Sequence, residues 1–367
     1  MQLKKLKLKN FKNYASLTVN FHEKINIVTG LNGSGKTNLI DGIYYLCSCK
    51  SYFQSSDKAV VKHEQDFFTA SAEITKGDEN YNLSCKYSLR KKKEFECNRQ
   101  VYEKLAEHIG KFPVSIITPD DIQIVKAGSE FRRKLTDHTL SQFDFEYLKN
   151  LIRYNKILQQ RNAYLKQLQA PYPIINTLLD SYDFQLLQFS EKVYNLRSEI
   201  MEECSENLIK MYELLSGGRE EVSINYKSNL QAGNLLHLLK NNRTKDQLLR
   251  RTTVGIHKDD WEFKIGEYAI KKIGSQGQQK SFLIALKLAF YHLLSHKKNE
   301  LPILLLDDIF DKLDANRIKA LIKIITEKSY GQVFITDADN ERLPTILNEL
   351  NLQFNHYVVE DNLVTQK

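Results

Sequence analysis

The sequence predicts an α/β fold that is interrupted by a long helical segment, and three observations support this prediction. Short β-rich runs alternate with helical patterns toward both ends of the 367-residue chain. A glycine-rich motif at residues 30–37 lies between an apolar strand and an amphipathic helix. None of the six prolines lies within residues 120–170 or 174–301, which favours helices in the middle of the chain.

The first third of the sequence is typical of β-strands. Leucines alternate with lysines at residues 6–8, and apolar residues alternate with polar ones at 17–21. Further short β-rich runs lie at 25–28, 81–88 and 114–117. We therefore expect a β-rich beginning that leads into the glycine-rich motif.

The middle of the chain predicts an antiparallel helical hairpin. Apolar residues recur every seven positions over 187–215, and the pattern stops at Gly217-Gly218. An earlier helix is expected over about 145–169, and residues 170–173 separate the two. This arm, residues 141–250, either projects from the α/β domain or packs on it. Its apolar stripe serves core packing or, alternatively, docks a partner.

The last third returns to alternating elements. Strands are expected at 262–265, 303–306, 333–336 and 354–359, and helices at 278–295, 315–328 and 341–350. The simplest arrangement is one discontinuous α/β domain made of residues 1–140 and 251–367, with residues 141–250 inserted as the helical arm.

Composition excludes several classes of protein. Hydrophobic residues make up 42% of the chain, which is enough for a core and excludes global disorder. No apolar run could span a bilayer, and the N-terminus lacks the pattern of a signal peptide, so we expect a cytoplasmic protein without a membrane partner. The five cysteines form no Cys-x-x-Cys pair, which favours reduced thiols. A net charge of +8 is compatible with a polyanionic partner but does not prove one.

Residues 30–37 fit the phosphate-loop pattern G-x-x-x-x-G-K-[ST] at every fixed position. The residues are Gly30-Leu31-Asn32-Gly33-Ser34-Gly35-Lys36-Thr37. Glycines let backbone N–H groups surround phosphates, and the following helix adds the positive end of its dipole. We expect Lys36 to reach the β- and γ-phosphates of ATP and the Thr37 hydroxyl to ligate Mg²⁺.

The apolar run 302–306 ends in two acids, Asp307 and Asp308. A buried strand that delivers a carboxylate to its carboxyl end matches the Walker B element of P-loop ATPases. Asp307 is expected to hold Mg²⁺ through water, and Asp308 to orient or deprotonate the attacking water. Related ATPases more often carry glutamate at the second position, so we expect slow hydrolysis.

A third motif decides the class of ATPase. Ser275, Gly277 and Gln278 begin a predicted helix and resemble the signature S-G-G-Q of ABC-type ATPases. In that class the element binds the γ-phosphate held by the opposite subunit, which implies a dimer with two composite sites. By itself the motif would be an ordinary capped helix. Residues 311–314 resemble the D-loop of the same class, and Thr336 lies where transporters carry a switch histidine.

Four further stretches carry a family resemblance, at residues 6–14, 117–122, 131–137 and 253–260. With the three nucleotide motifs, they make the chain similar, nearly end to end, to the RecF family of bacterial DNA replication and repair ATPases, which is related to SMC and Rad50 proteins. The sequence departs from the family pattern in several places. Lys12 and Lys258 replace arginine, Ile256 replaces proline, and residues 51–54 lack a customary arginine.

The resemblance implies a specific function. RecF-like proteins bind ATP and Mg²⁺, form ATP-dependent homodimers, and bind DNA with a preference for duplex next to single-stranded gaps. They act with RecR and RecO to help load RecA during the repair of replication gaps and DNA damage, in the context of the SOS response. Weak ATPase activity then resets the DNA-bound dimer.

Several basic runs are candidates for DNA contact. We assign this role first to Arg90, Lys91, Lys92 and Lys93, because four consecutive positive charges suit a phosphate backbone. The other candidates are Lys4, Lys5, Lys7 and Lys9; Arg132, Arg133 and Lys134; and Arg250 and Arg251. For each run the alternative is a solvated face.

Two groups of charged residues have more than one interpretation. Residues 132–134 could serve the nucleotide pocket or pack against Asp120 and Asp121. His257, Asp259 and Asp260 are compatible with a metal site, although a structural role near the nucleotide is the favoured interpretation.

Three rival functions share part of the pattern. The nucleotide-binding subunit of an ABC transporter shares all three nucleotide motifs, but the helical arm and Thr336 argue against it. An SMC- or Rad50-type tether needs far longer coiled coils than an arm of about 45 Å. A simple P-loop kinase would leave the motif at Ser275 unexplained.

Overall fold

The computed structural model describes residues 1–169, 176–218, 220–311 and 313–367. The expected separator at 170–173 and position 312 of the D-loop lie outside these residues. The described helices are α1 (Lys36–Ser48), α2 (Ile122–Lys126), α3 (Ser129–Phe143), α4 (Phe145–Gln167), α5 (Thr177–Glu199), α6 (Met201–Ser216), α7 (Leu235–Asn241), α8 (Arg243–Leu249), α9 (Ile270–Ile273), α10 (Gln276–Lys298), α11 (Ala315–Ile325) and α12 (Arg342–Glu349). The described strands are β1 (Gln2–Phe11), β2 (Tyr14–Asn20), β3 (Ile25–Thr29), β4 (Phe67–Lys76), β5 (Glu79–Ser88), β6 (Lys91–Cys97), β7 (Gln100–Val101), β8 (Val114–Ile117), β9 (Val222–Lys227), β10 (Asp260–Ile265), β11 (Tyr268–Ala269), β12 (Ile303–Leu306), β13 (Val333–Asp337), β14 (Asn355–Glu360) and β15 (Leu363–Gln366).

A mostly parallel sheet forms the centre of the α/β domain, in the order β15-β14-β3-β13-β12-β8. β12 pairs in parallel with β8 and β13, and β13 pairs in parallel with β3. Strands from both ends of the chain therefore alternate in one sheet, which confirms the predicted α/β fold. The carboxyl ends of β3, β12 and β13 meet at one edge, where ligands bind in sheets of this kind.

A second, antiparallel sheet has the order β2-β1-β4-β5-β6-β7. The alternation predicted for residues 6–8 and 17–21 is confirmed, because Leu6, Leu8, Leu17 and Val19 are buried. Helix α1 packs against β1 and β4 of this sheet and against β8 and β13 of the parallel one. α1 is therefore held between two sheets, and its N-terminus is the phosphate loop.

The helical arm packs on the α/β domain rather than projecting freely. α6 lies along α10, and the hydrophobic core joins Val193 and Leu208 of the arm to Phe282 and Leu286 of α10. The apolar stripe thus serves core packing. The arm also contains β9, which pairs with β10 of the α/β domain, so the segment expected to be helical is not helical throughout.

The predicted continuous helix over 187–215 is wrong in one respect. The chain divides it at Ile200, which ends α5 and precedes α6. The predicted apolar face is buried, as shown by Leu208 and Leu215 of the heptad and by the same-face residues Val193, Ile200, Cys204 and Met211. Leu187, Tyr194 and Met201 are only partly buried, because a straight helix drifts from a seven-residue repeat.

Two buried ionic clusters stabilise the arm. Arg161 is fully buried, and its Nε and Nη1 atoms lie 2.7 Å from Asp183 and 2.8 Å from Asp246. Arg197 is also buried, and it pairs with Asp137 at 2.7 Å and Asp259 at 2.6 Å. These pairs join α5 to α3, α4, α8 and the segment before β10, so they fix how the arm meets the domain.

The charged residues at 121, 132–134 and 257–260 have structural partners. Arg132 pairs with Asp260 at 2.6 Å, Arg133 donates to the Asp259 carbonyl at 2.7 Å, and the exposed Lys134 pairs with Glu130 at 2.8 Å, so the expected packing of 132–134 against Asp120 and Asp121 is wrong. Asp121 instead pairs with Lys287 at 3.0 Å. No cluster of three or more His, Cys, Asp or Glu side chains suitable for a metal occurs among the described residues. Asp259 and Asp260 are ion-paired with Arg197 and Arg132, which supports a structural role but at the junction with the arm, away from the phosphate loop.

The structure also bears on two sequence predictions, the absence of a membrane-spanning segment and the reduced state of the cysteines. Among the described residues, no helix is long and apolar enough to cross a membrane. All five cysteines are buried and unpaired, and burial raises the pKa of the Cys47, Cys85 and Cys204 thiols to about 12. Such thiols are poor nucleophiles, so their role is packing.

Candidate nucleotide-binding site

The phosphate loop connects β3 to α1, as predicted. Gly30, Gly33 and Gly35 all have positive φ, between 83° and 145°, a conformation that side chains rarely adopt. At Gly35 a Cβ atom would lie 2.7 Å from Asn13 Nδ2, so a larger residue would also displace the Asn13 side chain. The loop therefore has the backbone shape that turns N–H groups toward an anion.

Lys36 and Ser34 carry the polar atoms at the centre of the loop. Lys36 Nζ donates to the carbonyls of Gly30, at 2.6 Å, and Leu31, at 2.9 Å, which holds the ammonium group over the loop. The buried Ser34 Oγ has no hydrogen-bond partner among the described residues. A buried hydroxyl without a partner is costly, and a phosphate oxygen in the loop would satisfy it.

Asp307 lies where the sequence placed it, against the phosphate loop. Thr37 Oγ1 is 2.9 Å from Asp307 Oδ2 and 3.1 Å from Oδ1. The two residues are 270 positions apart, and the parallel sheet brings them together because β3 and β12 flank β13. A hydroxyl and a carboxylate at this distance are the oxygen ligands that Mg²⁺ prefers, so the donor set fits the ion.

Thr336, at the position of the transporter switch histidine, contacts both acids. Its hydroxyl donates to Asp307 Oδ1 at 2.8 Å and accepts the backbone N–H of Asp308 at 2.9 Å. Asp308 has a φ of 48°, a left-handed conformation that needs support in a residue with a side chain. Thr336 therefore positions Asp307 and Asp308 together, a role that the sequence did not reveal.

The electrostatics of the site follow from its burial. Desolvation lowers the pKa of Lys36, and the charges of Asp308, Asp307 and Asp337 oppose this effect. Desolvation also raises the pKa of Asp307 and of Asp308, and Asp311 raises that of Asp308 further. A cation would stabilise the ionised form of both carboxyls, and a polyanion would stabilise the charged form of the lysine. The electrostatics of the site therefore favour binding of both together.

A cleft opens over these groups. It is lined by Asn32, Gly33, Gly35, Lys36, Thr37 and Asp308. Leu31 of the phosphate loop is 79% exposed. Thus the predicted phosphate-binding residues and the second acid border one polar space, into which the loop N–H groups, a cation and a carboxylate converge.

The predicted signature motif forms the N-terminus of α10. Ser275 caps the helix, because its hydroxyl accepts the backbone N–H of Gln278 at 3.2 Å while Gln278 Oε1 accepts the N–H of Ser275 at 2.6 Å. Ser275 is exposed, and the hydrogen bonds of Gln278 lie within the cap and to Glu220. Among the described residues, the motif makes no hydrogen bond to the phosphate loop of its own chain.

Part of the predicted D-loop lies beside the signature motif. Asp314 caps α11 by accepting the N–H of Arg317 at 2.9 Å, and Lys280 of α10 donates to the Asp311 carbonyl. At Gly277 a Cβ atom would lie 2.7 Å from Nη1 at the end of the Arg317 side chain, so Gly277 and Arg317 are close neighbours. The two motifs therefore share one surface.

Two residues of the family-like stretch 6–14 support the phosphate loop. Asn13 donates to Asn362 of the C-terminal hairpin and accepts from Asn38 of α1 at 2.7 Å. Tyr14 donates to the Gly35 carbonyl at 3.0 Å. The resemblance singled out Asn13 and Tyr14, but their contacts with the loop and with Asn362 follow only from the tertiary structure.

The candidate DNA-binding run is divided by the structure. Arg90, Lys91 and Lys92 are exposed at the tip between β5 and β6. Lys93 instead pairs with Asp57 at 2.9 Å and donates to the Cys49 carbonyl at 2.6 Å. Lys93 therefore has a structural role, and only the first three residues are available to a ligand. Lys12, which replaces a family arginine, likewise pairs with the buried Asp41 at 2.7 Å.

The sheet, the phosphate loop and the acids that follow β12 define a P-loop ATPase domain of the ABC and SMC type. The family described as the RecF/RecN/SMC N terminal domain matches residues 2–356. The fold is also similar to an SMC head bound to the C-winged helix domain of ScpA, with a TM-score of 0.58, 14% identity, and coverage of 100% of this chain and 97% of that one. At that identity the likeness concerns the fold alone.

Other relatives are more similar. The DNA replication and repair protein RecF of Flavobacterium johnsoniae is 42% identical over 347 residues, which cover 95% of this chain and 97% of that protein. RecF of Cytophaga hutchinsonii is 40% identical over 366 residues, covering 100% and 97%. A structure of the recombination mediator protein RecF with ATP, in the RecFOR pathway, has a TM-score of 0.88 and 28% identity, and covers 100% of this chain and 97% of that one.

The chain therefore belongs to the RecF family of DNA replication and repair proteins, which are ATPases of the RecF/SMC type. These relatives do not favour the alternative of a transporter subunit.

Proposed function

We propose that this protein is an ATP-dependent DNA-binding recombination mediator, in which ATP closes two copies into a dimer on DNA. The observation that carries the proposal is that Lys36, Thr37 and Asp308 line one cleft in a chain of the RecF family, with Asp307 hydrogen-bonded to Thr37. Lys36 and Ser34 would bind the β- and γ-phosphates, together with the loop N–H groups. Thr37 and Asp307 would hold Mg²⁺, which supplies charge neutralisation at the phosphates.

The proposed dimer rests on the position of Ser275. Its helix N-terminus is exposed and makes no hydrogen bond to the phosphate loop of its own chain. A helix N-terminus capped by serine binds phosphate oxygens well, so a second copy would offer Ser275 and Gly277 to the γ-phosphate. The nucleotide is then shared by two chains, and hydrolysis, with Asp308 orienting water, opens them. We expect this hydrolysis to be slow.

The DNA-repair part of the proposal follows from the relatives. The similar solved structures are of recombination mediators in the RecFOR pathway. We propose that this chain likewise acts with RecR and RecO to support RecA loading at gapped DNA, in the cytoplasm. The exposed Arg90, Lys91 and Lys92 are candidate DNA contacts. We also propose that residues 1–140 and 251–367 form the ATPase domain and that residues 141–250 form the inserted arm.

Sedimentation velocity tests this function. The protein is measured alone, with ATP and Mg²⁺, with a non-hydrolysable ATP analogue, and with each nucleotide plus gapped duplex DNA. We expect a monomer without nucleotide and a dimer with the analogue, strengthened by DNA. A protein that stays monomeric with saturating analogue and gapped DNA would contradict the proposal.

A further inference from the structure

The outer face of the antiparallel sheet is polar over most of its area. Its inner face is the core, built from residues such as Leu8, Phe68 and Leu83. The outer face carries the alternate residues of the same strands, which are exposed or half-buried. The face contains the lysines of β1, which the phosphate site does not use.

The strand register places these lysines in a row. Lys5, Lys7 and Lys9 alternate along β1, so they lie about 6.8 Å apart on one side of the strand. Hydroxyl residues flank the row on both neighbouring strands. Lys7 lies opposite Thr18 and Ser71, and Lys9 lies opposite Ser16 and Thr69; the row at Lys9 continues through Thr69 to Lys86 of β5.

The positive charge of this row is largely uncompensated. Lys7 and Lys9 are exposed and form no ion pair with any described residue; Lys9 lies 5.8 Å from the ring of Phe67. Acidic side chains are confined to the margins of the face. Lys5 is 4.0 Å from Glu73 at one end, and Lys86 is 3.4 Å from Glu96 on the side of β6, where Glu94 also lies.

We propose that this surface, Lys5, Lys7 and Lys9 with their flanking hydroxyls, binds the phosphate backbone of duplex DNA. The row is about 13 to 14 Å long. That length equals the axial rise of about four nucleotides in one strand of B-DNA. Lysines neutralise phosphates as point charges, while serine and threonine donate hydrogen bonds to phosphate oxygens, so the surface suits DNA of any sequence.

The position of the row also favours this role. Lys9 lies at the end of the sheet where β5 turns into β6, which is the end that carries the exposed Arg90, Lys91 and Lys92. A duplex lying on the face could therefore contact the hairpin tip as well. This inference rests on the proposed DNA-binding function and adds where, and by which chemistry, the duplex is held.

The test is the salt dependence of binding to a fluorescent gapped duplex, measured by anisotropy with the ATP analogue at several salt concentrations. The variant is Lys5→Gln, Lys7→Gln and Lys9→Gln together. Each lost phosphate contact lowers the slope of log affinity against log salt by about 0.9, so we expect a slope smaller by about 2 to 3. The triple Lys→Arg variant keeps the charges and should keep the slope.

A matched control carries the same charge change on another surface: Lys319→Gln, Lys323→Gln and Lys328→Gln, all exposed and on or just after α11. It should change the slope little. The surface assignment is wrong if the β1 variant keeps the wild-type salt slope, or if the slope of the control variant falls by as much. Either result leaves the proposal that the protein binds DNA intact. If the wild type binds no DNA, both the surface and the proposed function are wrong. ATP affinity equal to wild type verifies that the variants are folded.

Discussion

Thr336 Oγ1 lies 2.8 Å from Asp307 Oδ1 and accepts the backbone N–H of Asp308 at 2.9 Å. One buried hydroxyl therefore positions both acids of the nucleotide site. Thr336 lies where the sequence comparison with transporter ATPases predicts a switch histidine. Here the residue acts through Asp307 and Asp308, so it is a positioning residue.

Replacing Thr336 tests this relationship. Thr336→Val keeps the shape but removes both hydrogen bonds, and we expect ATP hydrolysis to fall by about 10- to 100-fold, as for other partners of metal-binding carboxylates. ATP affinity should fall much less, because Lys36 and the loop are unchanged. Steady-state hydrolysis and equilibrium nucleotide binding are the measurements. Thr336→Ser should restore activity; a fully active valine variant would show that the hydroxyl is not needed.

Lys36→Met should abolish ATP-driven dimerisation. The substitution removes a charged hydrogen-bond donor from the phosphates, which is worth a factor of about 10 to 100 in ATP affinity. Nucleotide titration and sedimentation with the ATP analogue measure the two effects. Lys328→Met, at an exposed lysine, is the control. Undiminished nucleotide affinity in Lys36→Met would contradict the role assigned to this ammonium group.

Ser275→Arg should separate nucleotide binding from dimerisation. Ser275 makes no hydrogen bond to its own phosphate loop, so the monomer should bind ATP as before, while the bulky side chain blocks the second copy. Ser275→Ala removes the cap, which costs about 1 kcal/mol of stability, together with the hydroxyl offered to the γ-phosphate, so it should weaken dimerisation but less than the bulky arginine does. Loss of ATP binding by the Ser275→Arg monomer would disprove the composite site.

Stability below pH 6.5 should depend on His138. Burial lowers the pKa of this histidine from 6.5 to about 3, in a site where its ring contacts the hydroxyl of Tyr44. The unfolded chain takes up the proton near pH 6.5 and the folded chain only near pH 3, so stability falls as the pH drops between these values. The slope is about 1.4 kcal/mol per pH unit for one such group.

His138→Gln should therefore flatten the acid limb of stability, measured by urea unfolding at pH 6.5 and 4.5. Burial also lowers the pKa of His108 and His257 to about 4, so part of the slope will persist. His63→Gln, at a side chain that is 94% exposed, should leave the profile unchanged. An unchanged slope in His138→Gln would show that this histidine does not control acid stability.

Arg161→Met should destabilise the arm. The change leaves the buried Asp183 and Asp246 without their shared partner, and breaking a buried pair in this way costs about 3–5 kcal/mol. The free energy of unfolding in urea measures the loss. Arg243 still pairs with Asp183 at 2.7 Å, so only Asp246 loses its ion-pair partner, and adding Asp246→Asn should recover part of the loss. Lys149→Met, in an exposed pair with Glu146, should have little effect.

Much of the architecture was predictable because it depends on local patterns. The strands expected at 114–117 and 303–306 have those bounds in the structure, and α1 and α10 begin within two residues of their expected starts. Hydrophobic alternation and helix-capping residues extend over only a few neighbouring positions. The local sequence is therefore enough to predict these elements. The strands β4, β6 and β9 were missed, and so was the division at Ile200, because pairing and packing with other segments decide them.

By itself, the sequence determined the chemistry of the site: the glycines that open the phosphate loop, Lys36, Thr37, the two acids and the serine-capped helix. Only the tertiary structure decided which atoms meet. Thr37 and Asp307 lie 270 residues apart, and Thr336 reaches both acids because the register of three parallel strands brings their ends to one edge. Likewise, the strand register places three lysines of β1 in a single row. The ion pair between Lys93 and Asp57 shows that Lys93 is not available for DNA contact. The physical reason is that a residue's type follows from the local sequence, whereas its partners follow from how distant strands align.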